Sequence, residues 1–488
     1  MKCILIANRG EIAVRIIKAL RSLNIRSALV VSDPDIESMA AQMADIVVPI
    51  GGNTALESYL KVDKIIQAAK QVDADGVHPG YGFLSEKLEL VEACELADIK
   101  FIGPSKYAIE IMGDKIKSRQ LMIEGDVPVV PGFEIDAKSG MVEILDCARK
   151  LGFPVMVKAA SGGGGKGMRS VYSEDDLPDA IASCKREADS SFSDSRVFIE
   201  KLIEKPRHIE IQIFGDSKGN IFHLNERECS IQRRHQKIIE EAPASFDLGE
   251  LRSKMGEVAV KAAKLVNYEG AGTVEFIYSS DGQFYFLEMN TRLQVEHPVT
   301  EMTHDIDLVE TQIKVARGEE LTWRQEDITP KGHSIEIRLY AEDPLKNFMP
   351  TPGKILKLNW PNQENWLRID TGIHVGSVVT SFYDPMIAKL IVWGINREQA
   401  IERMLKVLLE LSILGVKTNQ AYLVNILKHE YFKKGNIHTS SLDEMNIEKN
   451  LLASLESKIE VFMGITGALQ NKEAALEIEH AFKVGGSQ

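Results

Sequence analysis

The sequence predicts a protein of mixed α/β and α+β class in about three domains, and three observations carry that reading. The opening stretch, KCILIANRGEIAVRIIKALRSLNIRSALVVSD, reads as a buried strand, a tight turn, an amphipathic helix and a second strand, which is a βαβ unit. A breaker cluster, Val127-Pro128-Val129-Val130-Pro131-Gly132, marks a boundary, and beyond it strands flank a run of glycines. The length of 488 residues exceeds what one ordinary core organises.

The βα alternation continues to Phe101–Ser105, so residues 1 to about 110 predict a doubly wound α/β domain. Asn8-Arg9-Gly10 lacks the G-x-G-x-x-G spacing of a dinucleotide fingerprint. A helix follows from about Asp114. FPVMVKAASGGGGKGMRSVY then reads as strand, glycine loop, strand, and VFIEKLIEKPRHIEIQIFGD as two more strands, a small α+β unit with a flexible loop. From Asn220 to about Ala316 strands dominate, with one long helix at about Leu248 to Val266. Residues from about Lys331 to Asp443 open with strands and close with helices, in REQAIERMLKVLLELSI and QAYLVNILKHEYF. The tail, Met445 to Gln488, is helix-compatible, with Ile459, Phe462, Thr466 and Leu469 on one side; it predicts a helix packed on its own domain or docking a partner.

Composition excludes several classes. No apolar run reaches the eighteen or so residues of a membrane helix, and Cys3 to Ala7 is far short of a signal peptide, so a cytoplasmic protein is expected. The net charge of −13, from 71 acids and 58 bases, argues against a general nucleic-acid or membrane surface. Cys3, Cys94, Cys147, Cys184 and Cys229 are scattered without a Cys-x-x-Cys pair, which indicates neither zinc nor a disulfide framework.

Chemistry concentrates in three stretches. In SGGGGKGMR, Ser161 to Arg169, adjacent glycines let the backbone approach an anion such as a polyphosphate; G-x-x-x-x-G-K-[ST] does not fit, so this is not a Walker A loop. Lys158 ends the apolar strand before it, where an unpaired ammonium is costly without an anion. ERECSIQRRHQKIIEEAP gathers Arg227, Arg233, Arg234, His235 and Lys237, a local reversal of sign that suits oxyanion binding.

The third stretch is GTVEFIYSSDGQFYFLEMNTR. A two-residue turn at Asp281-Gly282 makes opposite residues sum to 563, which sets Glu275 against Glu288 and Thr273 against Asn290. Opposed like charges destabilise a sheet, so a cation is expected between them. Mg²⁺ with oxygen ligands from Glu275, Glu288 and Asn290 fits better than an arginine pair. Glu288, Asn290, Arg292, Gln294 and Glu296 are two apart; a straight strand would leave Glu296 about 26 Å from Glu288, so the chain must bend after Asn290 to bring both to one reaction. These residues point to ATP-dependent phosphoryl transfer to a small anion.

The motifs IANRGEIAVRII, HPGYGFLSE, KAASGGGGKGMR, ERECSIQRRHQK, EMNTRLQVEHPVTEM, GHSIEIRLYAEDP and YDPMIAKLIVWG occur in order over residues 1 to 443. With them the sequence resembles the biotin carboxylase family, a branch of the ATP-grasp fold. The resemblance implies a Rossmann-like pre-ATP-grasp domain at 1–113, an ATP-grasp domain at 114–330 with a mobile lid at about 132–203, a C-terminal domain at 331–444 and a helical tail at 445–488. It implies that Lys115, Lys158, Gly164, Gly165 and His208 contact ATP and that Glu200, Lys201 and Ile203 line the adenine pocket. Gln232 and His235 would lie near ribose or phosphates, and Glu275, Glu288 and Asn290 would hold one or two Mg²⁺ ions. Lys237, Arg292, Gln294 and Val295 match the bicarbonate site, Glu296 the general base, and Arg338 the residue beside the biotin ureido oxygen. Departures from the family pattern are Lys87, Leu88 and His304.

The implied activity is carboxylation of biotin by ATP and bicarbonate through carboxyphosphate. The tail lacks the Ala-Met-Lys-Met motif of a biotin carrier, so a separate biotin carboxyl carrier protein and a carboxyltransferase are expected as partners, with a homodimer implied and no nucleic acid or membrane. The complete enzyme would be an acetyl-CoA or acyl-CoA carboxylase, or a pyruvate carboxylase. An ATP-grasp ligase joining another carboxylate to an amine is the competing activity, and a nucleotide-binding regulatory subunit without turnover is a third.

Overall fold

A computed structural model describes residues 1–135, 139–160, 167–192, 194–449 and 451. The βαβ start forms as the hydrophobic pattern requires. Strands β1 (Cys3–Ile6), β2 (Arg26–Val31), β3 (Ile46–Pro49), β4 (Gly76–His78) and β5 (Lys100–Phe101) make a parallel sheet in the order β3-β2-β1-β4-β5. The runs of β1, β2 and β4 are buried on both faces, as crossover helices dictate, while edge strand β3 is partly exposed. Helix Gly10–Ser22 links β1 to β2 with Glu11 in its first turn.

The helix predicted from Asp114 spans Lys115–Glu124. The Asp114 side chain caps it, accepting from the N–H groups of Ile116 and Lys117. Next comes a four-stranded sheet of β6 (Gly132–Glu134), β7 (Val155–Ala159), β8 (Met168–Val171) and β9 (Val197–Lys201), in the order β6-β9-β7-β8. A strand does follow the glycine loop, with Lys158 opposite Met168. Ser161 to Lys166, including Gly164 and Gly165, lie outside the described residues.

The largest sheet runs β14-β13-β10-β11-β12-β15-β17-β16. Its strands are β10 (Arg207–Gly215), β11 (Ile221–Arg233), β12 (Gln236–Ala242), β13 (Gly270–Tyr278), β14 (Phe284–Asn290), β15 (His333–Tyr340), β16 (Leu367–Thr371) and β17 (Met386–Gly394). Antiparallel pairing of β12 with β15 sets Glu240 against Glu336 and carries one sheet through the central and C-terminal regions. Strands β16 and β17 went unread in the sequence, and for the others it does not say which strand each will lie beside. Helix Leu251–Leu265 covers one end of this sheet and buries Met255, Ala259 and Ala262 with Ile209, Ile211 and Val274.

Helices that went unread in the sequence include His297–His304 and Leu308–Ala316. The second had a legible start: Asp307 caps it by accepting from the Glu310 N–H. The C-terminal helices Arg397–Glu410 and Gln420–Lys428 form where predicted and pack around Ile337, Leu390, Met404 and Leu423. Met445, Ile447 and Leu451 join this core. The predicted stripe from Ile459 to Leu469 lies outside the described residues. Among the described residues no helix is long and apolar enough to cross a membrane.

Candidate active site

The hairpin that raises the question of opposed glutamates pairs Thr273 with Asn290 and Glu275 with Glu288. The route differs from the expected one. Beside the turn, Tyr278 pairs with Phe284 and Phe276 with Phe286, so numbers there sum to 562. Ser279 accepts from the Gly282 N–H and Gly282 takes φ +83°, in a three-residue loop rather than a two-residue turn. Leu287 then bulges between Phe286 and Glu288 and restores the predicted pairing. The bulge and the longer loop offset one another, and neither has a sequence signal apart from Gly282.

Neighbouring strands extend the row. Glu275 on β13 faces Glu210 on β10, and Glu210 faces Arg227 on β11. With Glu288 on β14, this makes three acids and an arginine in line across four strands. One cation among these acids is Lys237, whose Nζ donates to Glu210 at 2.6 Å, to Glu275 at 2.7 Å and to Glu296 at 2.6 Å, while Glu288 has Lys115 at 3.6 Å. His208 Nε2 lies 3.0 Å from Glu275. Glu210 is a residue that sequence reading passed over, although His208, Glu210 and Gln212 alternate in HIEIQIF and so share one face.

The strand ends at Asn290 and the chain bends as expected, so Glu296 returns to the row instead of leaving it. Only 2% exposed, Glu296 accepts from Lys237 through Oε1 and from Arg338 Nη2 at 2.9 Å through Oε2. Arg338 Nε donates in turn to Glu240 at 2.6 Å. Gln294 donates to Glu275 at 2.8 Å, and the Val295 carbonyl accepts from the buried Lys389 at 2.8 Å. Arg292 donates to Glu86 and to the Asn290 Oδ1, both at 2.9 Å. Glu86 and Lys389 went unassigned in the sequence although both lie in quoted motifs.

Charges follow from these contacts. Burial would raise the Glu296 carboxyl, but Lys237, Arg338 and Arg227 outweigh it and hold the group below the usual carboxylate range. Burial likewise opposes ionisation of Glu275, and Lys237 and His208 overcome it. Lys237 is desolvated, yet its three carboxylates push it well above the usual lysine value. His235 is shifted down, first by burial and then by Lys158, His208 and Lys115. Those four groups therefore lie within electrostatic reach of one another.

The remaining predicted residues divide. Lys115 lies 3.6 Å from Glu288, and Lys158 pairs with Glu200 at 2.5 Å. The Lys201 ammonium turns away, donating to the carbonyls of Gly152 and Phe153, and Ile203 is half-buried just after β9. Gln232 donates to the Cys229 carbonyl. The basic stretch 226–243 does not act as one anion site. Arg227 is fully buried as a structural tie and Arg233 pairs with Glu342, leaving His235 and Lys237 toward the site. Residues of one short segment diverge because the β11–β12 ladder shifts register between Glu228 and Gln232 and the chain turns at Arg234 and His235, both at positive φ.

The donor set suits Mg²⁺: Glu275 and Glu288 are opposed carboxylates, Asn290 adds an amide oxygen two residues on, and all are hard donors. Glu288 is the accessible member, with a side chain one-third exposed.

The chain matches three family models in order: the N-terminal domain of biotin carboxylase at residues 1–109, the ATP-binding domain of the carbamoyl-phosphate synthase L chain at 114–324, and the C-terminal domain of biotin carboxylase at 336–444. It is 48% identical to a biotin carboxylase of Halalkalibacterium halodurans over 90% of this chain and 96% of that one. The chain belongs to the biotin carboxylase family. A pyruvate carboxylase subunit of Methanothermobacter thermautotrophicus is 50% identical over 90% of this chain and 89% of that one. The methylcrotonoyl-CoA carboxylase alpha subunit of Dictyostelium discoideum is also 50% identical, but this chain spans 62% of its length.

Among solved structures, a biotin carboxylase from Campylobacter jejuni in a β-γ-ATP complex superposes with TM-score 0.87 at 46% identity, covering 91% of this chain and 98% of that one. The biotin carboxylase domain dimer of Hydrogenobacter thermophilus 2-oxoglutarate carboxylase, in complex with MgADP, ADP and bicarbonate, gives 0.87 at 42% over 92% and 98%. The three-domain biotin carboxylase architecture is thus shared. Lys87 precedes helix Leu88–Leu96, and His304 Nε2 lies 3.1 Å from Asn225 Nδ2.

Proposed function

We propose that this chain carboxylates biotin with bicarbonate and ATP, and that the carrying observation is Glu296 bridging Lys237 and Arg338. One carboxylate joins a lysine beside the acidic row to an arginine on the far side of the site. A small acid placed between Lys237 and Arg292 would meet a base already ionised, and one placed beside Arg338 would meet a donor fixed by two carboxylates.

On this reading Lys115, Lys158, His208 and His235 neutralise the phosphates, while Gly164 and Gly165 supply backbone N–H groups. Glu200, Lys201 and Ile203 line the adenine pocket, and Gln232 lies near the ribose. Mg²⁺ held by Glu275, Glu288 and Asn290 would offset charge on the phosphate oxygens. Arg292, Lys237, Gln294 and the Val295 backbone hold bicarbonate. Glu296 takes the bicarbonate proton, the freed oxygen attacks the γ-phosphorus, and the bond to ADP breaks to give carboxyphosphate. Carboxyphosphate splits into CO₂ and phosphate. The phosphate removes the biotin N1′ proton, Arg338 stabilises the enolate, and the nitrogen attacks CO₂. The lid keeps water from the labile intermediate.

Lys237 must loosen part of its hold on three carboxylates for bicarbonate to enter, which makes this region the one that rearranges on binding. A biotin carrier protein and a carboxyltransferase are the partners proposed, in a homodimer; similarity to both pyruvate and methylcrotonoyl-CoA carboxylase subunits supports that setting.

The test is ADP release with Mg-ATP and bicarbonate, with and without free biotin, in wild type and Glu296→Ala. Biotin should stimulate the wild type and leave the variant unmoved. Wild-type turnover indifferent to biotin would contradict the reading and favour another acceptor.

A further inference from the structure

Behind Arg338 the large sheet buries a second pair of opposed acids. Glu240 on β12 faces Glu336 on β15, and both side chains are inaccessible to solvent. Glu240 Oε1 accepts from Arg338. Its Oε2 and both oxygens of Glu336 have no hydrogen-bond partner among the described residues. The nearby cations are committed elsewhere. Arg338 is held by Glu240 and Glu296, and Lys389 donates to Val295 and lies 3.1 Å from Glu11 and 3.8 Å from Asp370. An ionised Glu336 would be a buried charge with no donor, opposite a carboxylate, which is the arrangement most costly to desolvate.

We propose that Glu336 keeps its proton at neutral pH and acts as a positioning residue for Arg338. While Glu336 is neutral, Glu240 is the sole anion behind the guanidinium, which stays fixed between Glu240 and Glu296. Burial agrees in direction and pushes Glu336 well above the usual carboxylate value, with Lys389 and Arg338 countering only part of it; Glu240 is raised less, because Arg338 donates to it directly. The groups facing Glu336 are Glu240 from β12, Arg338 on its own strand, Lys389 from β17, Glu296 from the start of helix His297–His304, and Tyr81, whose hydroxyl bonds Glu11. When Glu336 loses its proton, a second negative charge develops behind Arg338, and the guanidinium is drawn inward from Glu296 and from the place assigned to biotin. The turnover number for biotin carboxylation then falls, while KM for ATP is unmoved.

The inference rests on the role proposed for Arg338, and two measurements separate its failure from failure of that role. Infrared spectra of the full chain at neutral pH should show a protonated-carboxyl C=O band that shifts in D₂O and is missing in Glu336→Gln, or in Glu336→Leu if the amide variant does not fold. In wild type, kcat for biotin carboxylation should fall by about tenfold or more as raising the pH removes that band, and in Glu336→Gln this fall should be absent. No such band, a band that survives in both variants, or the same alkaline fall in Glu336→Gln would overturn the proposal. The infrared measurement reads the proton whatever the acceptor, so loss of the biotin reading leaves that arm standing.

Discussion

Glu296→Gln should lower bicarbonate-dependent ADP release by about 10²–10⁴-fold, the range expected when a positioned base is removed. The substitution keeps the shape of the side chain and removes its charge. Wild-type Glu296 is ionised at neutral pH because Lys237, Arg338 and Arg227 outweigh its burial. The amide offers one acceptor where the carboxylate met two cationic donors, so its NH₂ must face either Lys237 or Arg338. KM for ATP should change far less than kcat, since the groups assigned to the phosphates bond elsewhere. Steady-state kinetics decide the matter, and a variant within about tenfold of wild type would remove Glu296 from the role of base. The linked effect on stability has a definite sign. A carboxyl depressed in the fold contributes stability above its unfolded value and loses it as pH falls, so the wild type should lose more stability on acidification than Glu296→Gln.

Arg227→Met should destabilise the protein by about 3–5 kcal/mol, read as a shift in the urea unfolding midpoint. The guanidinium is 0% exposed and its donors are all engaged: Glu210 at 2.5 Å, Gln212 at 2.6 Å, Thr300 at 3.1 Å, and Thr273 and Gln294 each at 2.9 Å. These partners lie on β10, on β13, in the loop after β14 and on the helix that follows. Methionine fills much of the volume but leaves a buried carboxylate to Lys237 alone and four polar groups short of a donor. Gln294 would lose the anchor that presents it to Glu275, so bicarbonate affinity should fall with stability. A shift under about 1 kcal/mol would mean that water replaces the guanidinium and that the tie is not structural.

Much of this site was legible because its residues alternate. Glu288, Asn290, Arg292, Gln294 and Glu296 announce a polar face, and the need for one reaction centre requires the bend that occurs after Asn290. The pairing of Glu275 with Glu288 was readable from a turn signal and survived a wrong loop length because of the Leu287 bulge. What stayed hidden is tertiary. Nothing in ERECSIQRRHQK says that Arg227 turns into the core while Lys237 turns to the site, since β11 and β12 bulge at several points and the parity of facing residues shifts. Nor does HSIEIRLY reveal that Glu336 meets Glu240, a contact across nearly a hundred residues set by which strands become neighbours. Helix His297–His304 was missed because its first residues belong to a motif read for chemistry rather than for periodicity.

Transfer of label from isotopically labelled bicarbonate to free biotin is the measurement closest to the central claim. Incubation with Mg-ATP should yield labelled biotin in step with ADP, and omission of ATP or substitution of Glu296 should abolish both. ADP formed from ATP in the presence of bicarbonate, with no label on biotin, would contradict the account.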